Sequence, residues 1–257
     1  MPSADGERVL VLLPDRDSPP KRDYSGAFRP AAVALLQHLR PAHVELVEVP
    51  VPTVDPVRLT ITGAEKQRGY EDAARKTCEA IERGGWTRVV LLCHGWSTGL
   101  QLGIRMAKQR GGDGAHLVRF VDALTALTPR SITLFACSAG DAPGSSKSAH
   151  NDGKGSLAEY LCGQVGVPVL AHWTAGHATR NPDLIHFSPE QFHGRARGEV
   201  VAERGTQAYR RARALLTAGA STGKLPPRGH TRPAWASLVL TTSVEDVRAL
   251  LASEPST

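Results

Sequence analysis

A cysteine and a histidine, each standing directly after a short apolar run, are the residues of this sequence best suited to covalent chemistry. Cys137 follows the run 132–136, and His94 follows the run 89–93. A thiol is a useful nucleophile near neutral pH when a neighbouring group stabilises the thiolate or takes its proton. An imidazole, with an unperturbed pKa of about 6.5, is suited to that task. The pair predicts nucleophilic catalysis, with Cys137 as nucleophile and His94 as general base and acid.

The elements that must position these two residues alternate along the first 172 residues. Strands are predicted at 9–13, 44–49, 89–93, 132–136 and 167–171, helices at 28–39, 70–83 and 117–127 and from 157, and irregular structure at 50–69. This alternation predicts an α/β fold with a mostly parallel sheet flanked by helices on both faces. Ligand sites in such sheets lie at the C-terminal ends of strands. Because adjacent strands are about 4.8 Å apart, residues just beyond two such ends can face one substrate bond.

The chain after residue 190 has a different pattern. A helix is predicted at 205–217, an edge strand at 235–241, and a last helix after Ser243, whose hydroxyl can cap it. The arginines between residues 195 and 213 are interrupted by acidic residues, which is typical of a solvated helix face. We therefore predict a catalytic domain at 1–190 and an extension at 191–257 that packs on it.

Composition limits the classes of partner. The chain has 257 residues, of which 41% are hydrophobic and 22% charged, enough for one large folded domain with an extension. The net charge of +6 is spread along the sequence, so nucleic acid is not an expected partner. No run approaches the roughly 18 apolar residues of a membrane span. The N-terminus lacks the features of a secretory signal, and the four cysteines have no paired spacing, so we expect a reduced, cytoplasmic setting.

A strand ending in His94-Gly95, followed by a strand ending in Ala136-Cys137, resembles the caspase-like cysteine peptidases. Cys137 lies 43 residues after His94, and the separation in caspases is roughly 50. The segments 96–103, 137–140, 155–161 and 169–173 resemble bacterial caspase-like and CHAT-type protease domains more than animal caspases, and the resemblance covers roughly residues 8–175.

This resemblance implies a caspase-like sandwich and a cysteine endopeptidase that needs no cofactor. Its partners would be a protein or peptide substrate and an activating partner or effector, in a regulated bacterial signalling or defence pathway. The backbone N–H groups of Gly95 and Cys137 would stabilise the oxyanion, since glycine lets the backbone approach the substrate closely.

The sequence departs from animal caspases around the nucleophile. Their Gln-Ala-Cys-X-Gly pattern is absent, and the basic residues with which they bind aspartate have no clear counterpart. Asp15 follows the first strand and Asp141 follows Cys137, and the resemblance implies that both positions border the first specificity pocket. Carboxylates there favour Lys or Arg in the substrate. Trp173, just past the fifth strand, is a candidate wall of the substrate groove or a core residue.

Two other functions are open at this stage. In a serine hydrolase of the α/β-hydrolase type, Ser138 would be the nucleophile of an elbow, and Asp183 and His186 would complete a triad. In an inactive caspase-like domain the same fold would serve as a binding module. A metal site is not predicted, because the late histidines at 172, 177, 186 and 193 match no zinc spacing and no cysteine pair accompanies them.

Overall fold

The protein folds around one large sheet with helices on both faces. The structure, a computed structural model, describes residues 6–15, 28, 32, 44–52, 62–106, 115–141, 155–174, 183–192, 195–217 and 243–252. The strands are β1 (Val9–Pro14), β2 (Val44–Val49), β3 (Arg88–Leu92), β4 (Gly95–Trp96), β5 (Gly99–Leu100), β6 (Ser131–Phe135), β7 (Val169–His172), β8 (Leu184–Phe192) and β9 (Arg195–Ala202). The helices are α1 (Gly63–Glu82), α2 (Ala115–Leu127), α3 (Leu157–Val165), α4 (Gln207–Thr217) and α5 (Val244–Ala252).

Seven of these strands form the large sheet, in the order β2-β1-β3-β6-β7-β8-β9. The first five are parallel, whereas β8 is antiparallel to both β7 and β9. Every residue of β1, β3 and β6 is buried, which is why these strands are mainly apolar in the sequence, with Arg88, Ser131 and Thr133 as their polar members. The predicted α/β fold with a mostly parallel sheet is confirmed.

Alternate residues of the central strands supply two separate cores. In β3, Val89 and Leu91 point to the first core, and Val90 and Leu92 point to the second. The first core receives side chains from α1, α2 and α3, among them Ala74, Phe120 and Leu161. The second receives Phe28, Ala32 and side chains of α4 and α5, among them Ala212 and Val247. None of the described helices is long and apolar enough to cross a membrane.

Helix α1 begins earlier than predicted. The expectation of irregular structure up to residue 69 is wrong, because the helix starts at Gly63. Its start is a capping box: the Thr62 hydroxyl accepts from the Glu65 N–H at 3.2 Å, and the Glu65 carboxylate accepts from the Thr62 N–H at 2.9 Å. These two bonds satisfy backbone donors that a helix start otherwise leaves open. Apolar residues at helical spacing occur only further along α1, and the predicted helix therefore began there, at residue 70.

The segment after residue 183 contains two strands that the sequence analysis did not predict. Strands β8 and β9 complete the large sheet, so the predicted boundary after residue 190 falls within β8. The arginines at 195 and 197 therefore lie on a strand, not on the predicted helix face. Helices α4 and α5 agree with the prediction, and the Ser243 hydroxyl caps α5 by accepting from the Asp246 N–H at 3.0 Å. The predicted strand at 235–241 lies outside the described residues.

A buried ion pair closes the N-terminal edge of the sheet. The Glu7 carboxylate accepts from Arg88 at 2.9 and 3.2 Å, from Arg130 at 2.8 Å and from the Thr87 hydroxyl at 2.9 Å. The Arg88 side chain is only 3% exposed and also donates to the Ser131 hydroxyl. Burial alone raises the pKa of Glu7, but the hydrogen bonds and charges of Arg88, Thr87 and Arg130 outweigh it and hold this pKa below its usual value.

Replacing Glu7 by Gln is expected to lower the free energy of unfolding by about 3 kcal/mol at neutral pH, because Arg88 stays buried without its counter-charge. Since the folded-state pKa of Glu7 lies below its unfolded value, its stabilising contribution is present above the unfolded pKa. That contribution declines as the pH falls through the folded pKa, so wild type and variant should converge in acid. Urea unfolding over a series of pH values measures both effects.

The matched control is Arg75→Ala on α1, which removes exposed ion pairs to Asp72 and Glu79. Exposed pairs of this kind contribute about 0–1 kcal/mol, so the control should change stability little. Equal losses for Glu7→Gln and Arg75→Ala, or a Glu7→Gln loss that persists undiminished in acid, would contradict this account of the ion pair.

Candidate active site

The register of two parallel strands brings His94 and Cys137 to the same edge of the sheet. Leu92 of β3 pairs with Phe135 of β6, and the Cys93 N–H donates to the Phe135 carbonyl at 3.4 Å. His94 and Cys137 each stand two positions after this pair. The two residues therefore leave the C-terminal ends of adjacent strands at the same level, as the sequence analysis predicted from the two apolar runs.

Gly95 shows how closely the two strand ends approach. A methyl group added at Gly95 would lie 2.7 Å from the Ala136 Cβ and 3.2 Å from the Cys137 carbonyl oxygen. Such distances are too short for carbon contacts, so only glycine fits here without displacement of the neighbouring loop. The backbone directly after His94 therefore packs against the backbone at Cys137. Gly95 also pairs with Leu100 in the β4–β5 hairpin, which fixes its position.

Cys137 differs from the other three cysteines in its exposure. Cys78, Cys93 and Cys162 are buried, whereas Cys137 is half-buried. Burial raises the pKa of Cys78 to about 11 and that of Cys162 to about 12, and it raises the pKa of Cys93 further still. The three buried residues remain protonated thiols at neutral pH and are therefore poor nucleophiles. Of the four cysteines, Cys137 is the one that is partly exposed.

The turn that carries Cys137 is held by hydrogen bonds to the neighbouring strand. The Ser138 N–H donates to the Thr174 carbonyl at 3.1 Å, and the Gly140 N–H donates to the His172 carbonyl at 2.9 Å. Through these two bonds the end of β7 holds the residues on the C-terminal side of Cys137. Thr174 in turn donates its hydroxyl to the Asp183 carboxylate at 2.6 Å. Thr174 was not singled out in the sequence, because its contribution is a backbone carbonyl.

Ser138 occupies an unusual backbone conformation. Its φ is +53°, in the left-handed region that few residues other than glycine adopt, and the residue is only 9% exposed. A positive φ suits a nucleophile elbow, but an elbow also leads directly into a helix. Here the next described helix, α3, begins only at Leu157.

The other two residues of the alternative triad are Asp183, which precedes β8, and His186, which lies within it. His186 is buried within β8, opposite Leu170 of β7. Asp183 precedes β8, and its carboxylate accepts from Thr174 as described above. His186 therefore lies within the sheet, two residues along β8 from the pair that Leu184 forms with His172. Ser138, by contrast, follows the C-terminal end of β6.

The side chain and the backbone of His94 are held by different neighbours. The imidazole is half-buried and packs edge-on against the ring of Phe28, with centroids 5.1 Å apart and planes at 84°. The backbone is held by Gln101, which bonds to both the N–H and the carbonyl of His94. Neither Phe28 nor Gln101 was identified as a site residue from the sequence, because no spacing pattern links either one to His94.

The two candidate carboxylates lie in different surroundings. Leu12 of β1 pairs with Leu91 of β3, so Asp15 and His94, each three positions on, reach the same level of the sheet. The Asp15 carboxylate accepts from the Val51 N–H at 3.2 Å and so helps to hold the chain after β2. In Asp141, by contrast, the Oδ2 atom is buried and makes no hydrogen bond within the described part of the chain. Asp141 is the carboxylate better placed to receive a cation.

Trp173 follows β7 as predicted. Its N–H donates to the Asp183 carbonyl at 3.4 Å, and its half-buried side chain packs against the first core. The packing supports the core interpretation. Of the four late histidines, those at 177 and 193 lie outside the described residues. No group of three or more potential metal ligands occurs among the residues that are described.

Comparison of the chain with known protein families, with curated proteins and with solved structures found no match.

Replacing Gly95 by Ala tests the contact between the two strand ends. The added methyl group meets Ala136, so we expect the free energy of unfolding to fall by about 1–3 kcal/mol, the usual cost of overpacking. Gly163→Ala is the matched control, since a methyl group there meets nothing within 4 Å in helix α3. Alanine favours helix, so this control should gain about 0.5–1 kcal/mol.

A second change separates the contact from a general effect of the substitution. Because the nearest atom is the Ala136 methyl group, Gly95→Ala combined with Ala136→Gly should lose less stability than the sum of the single losses. Urea unfolding of the four proteins gives the coupling. Strictly additive losses would show that the two residues do not touch.

Proposed function

We propose that this protein is a cysteine endopeptidase of the caspase-like type, with Cys137 as nucleophile and His94 as general base and acid. The observation that carries the proposal is the register of β3 and β6, which brings both residues to one edge of the sheet, with Gly95 packed against Ala136 and the Cys137 carbonyl. The sheet order is compatible with the caspase-like sandwich that the sequence resemblance implies.

The reaction follows from the chemistry of the two side chains. The His94 imidazole takes the proton of the Cys137 thiol, and the thiolate attacks the carbonyl carbon of the substrate peptide bond. The backbone N–H groups of Gly95 and Cys137 stabilise the resulting oxyanion. When the C–N bond breaks, the imidazolium gives its proton to the leaving amine and a thioester remains. His94 then takes a proton from water, the hydroxide displaces the thiolate, and a carboxylic acid and the free enzyme result.

The acidic surroundings favour a substrate with a basic side chain next to the cleaved bond. Asp141 is four residues from the nucleophile, and its buried Oδ2 has capacity to accept hydrogen bonds. A Lys or Arg of the substrate would supply both the donor and the opposite charge. Asp15, at the level of His94, adds negative charge at the same edge, although the Val51 N–H already engages one of its oxygens. A cytoplasmic setting and control by an activating partner belong to the same proposal and rest on the resemblance alone.

Profiling the cleavage of a peptide library tests this function. We expect wild type to cleave and Cys137→Ala to lose essentially all cleavage, because no other accessible thiol can replace it. Ser138→Ala is the matched control: the change is equally small, lies one residue away and should leave most of the activity. Loss of activity only in Ser138→Ala would overturn the cysteine mechanism in favour of the serine hydrolase.

The same library identifies the class of substrate. We expect Lys or Arg on the N-terminal side of the cleaved bond, and a preference for acidic residues there would contradict the role of Asp141. The alternative of an inactive binding module is tested by the reactivity of the Cys137 thiol rather than by cleavage. In that case Cys137 in the folded protein would react with a thiol-directed peptide probe no faster than a cysteine in the unfolded chain.

A further inference from the structure

Gln101 makes an unusual pair of bonds to the residue that carries the imidazole. Its side-chain Oε1 accepts from the His94 N–H at 3.3 Å, and its own N–H donates to the His94 carbonyl at 2.9 Å. Both backbone groups of His94 are therefore bonded to one residue seven positions later. Gln101 is only 7% exposed, so water competes little for these bonds.

The position of Gln101 is itself fixed by the loop around it. The Leu100 N–H donates to the Ile104 carbonyl at 2.8 Å, and the Gly103 N–H donates to the Leu100 carbonyl at 3.2 Å. Gly103 has a φ of +84°, and a side chain there would run into the backbone of helix α1. The loop is thus packed against α1, and the hydrogen bonds of Gln101 hold His94 to this loop.

The neighbouring thiol adds to the same arrangement. Burial raises the pKa of Cys93, while backbone hydrogen bonds from Gln101 and Leu102 act in the opposite direction. The sulfur of Cys93 is thus an acceptor inside the loop and is buried away from substrate. Cys93 and Gln101 therefore both stabilise the loop after β3, and Cys137 is the nucleophile of the proposed reaction.

We propose that Gln101 is the positioning residue of the active site, which orients His94 toward Cys137 by clamping the His94 backbone through its buried side-chain amide. The inference rests on the proposed function, since it assigns Gln101 a role in the chemistry of the His94–Cys137 pair. Gln101 itself touches neither the substrate nor the reacting atoms. Small errors in the placement of a catalytic group reduce rates strongly, so removing the clamp should be visible in the reactivity of Cys137.

The rate of Cys137 alkylation by iodoacetamide, followed by mass spectrometry across a range of pH, measures this effect without knowledge of the substrate. In Gln101→Leu the acceptor is lost and the rate should fall about 10- to 100-fold at neutral pH. In Gln101→Glu the acceptor is kept, so most of the rate should return.

Two controls separate the possible outcomes. Ile104→Val trims a buried side chain of the same loop and should cost about 0.5–1.5 kcal/mol of stability without slowing alkylation. His94→Ala must slow alkylation of Cys137, and an unchanged rate in that variant would overturn the proposed function and this inference together. If His94→Ala slows alkylation but Gln101→Leu does not, only the role of Gln101 is refuted. A failure of Gln101→Glu to restore the rate that Gln101→Leu loses would also contradict the inference.

Discussion

The site depends on one constraint, the close approach of the chain after β3 to the chain after β6. Parallel pairing of Leu92 with Phe135 sets the level at which both strands end. Glycine at position 95 lets the two backbones touch, because any side chain there would meet Ala136 or the Cys137 carbonyl. A parallel sheet repeats this register along its whole length, so buried residues far from the site help to hold His94 beside Cys137.

Further hydrogen bonds hold the loops that carry His94 and Cys137, whose level is already set by the sheet. The end of β7 holds the turn after Cys137 through the carbonyls of Thr174 and His172. The loop after β3 is anchored against α1 and holds His94 through Gln101. In both cases the hydrogen bonds are made to backbone groups of the loop. Burial raises the pKa of the other three thiols and so disfavours their thiolate forms.

The sequence predicted the parts of the fold whose residues are buried on both sides. The runs in β1, β3 and β6 are mainly apolar, and the sheet that they form was predicted correctly. Strands β8 and β9 were missed because charged and polar residues interrupt them. A proline at 189 also lies where the β8–β9 register shifts. The bonds of Gln101 to His94 could not be predicted, because no periodic pattern encodes a contact between a side-chain amide and a backbone N–H.

The central claim is that the Cys137 sulfur and the His94 imidazole lie close enough to act on one atom. Symmetrical dichloroacetone tests it directly, because a thiolate can displace one chloride and an imidazole nitrogen within reach of the short three-carbon bridge can displace the other. Peptide mapping by mass spectrometry should find Cys137 bridged to His94 in the folded protein, and no bridge after unfolding. Cys137 that is alkylated in the folded protein but never bridged to His94 would contradict the account.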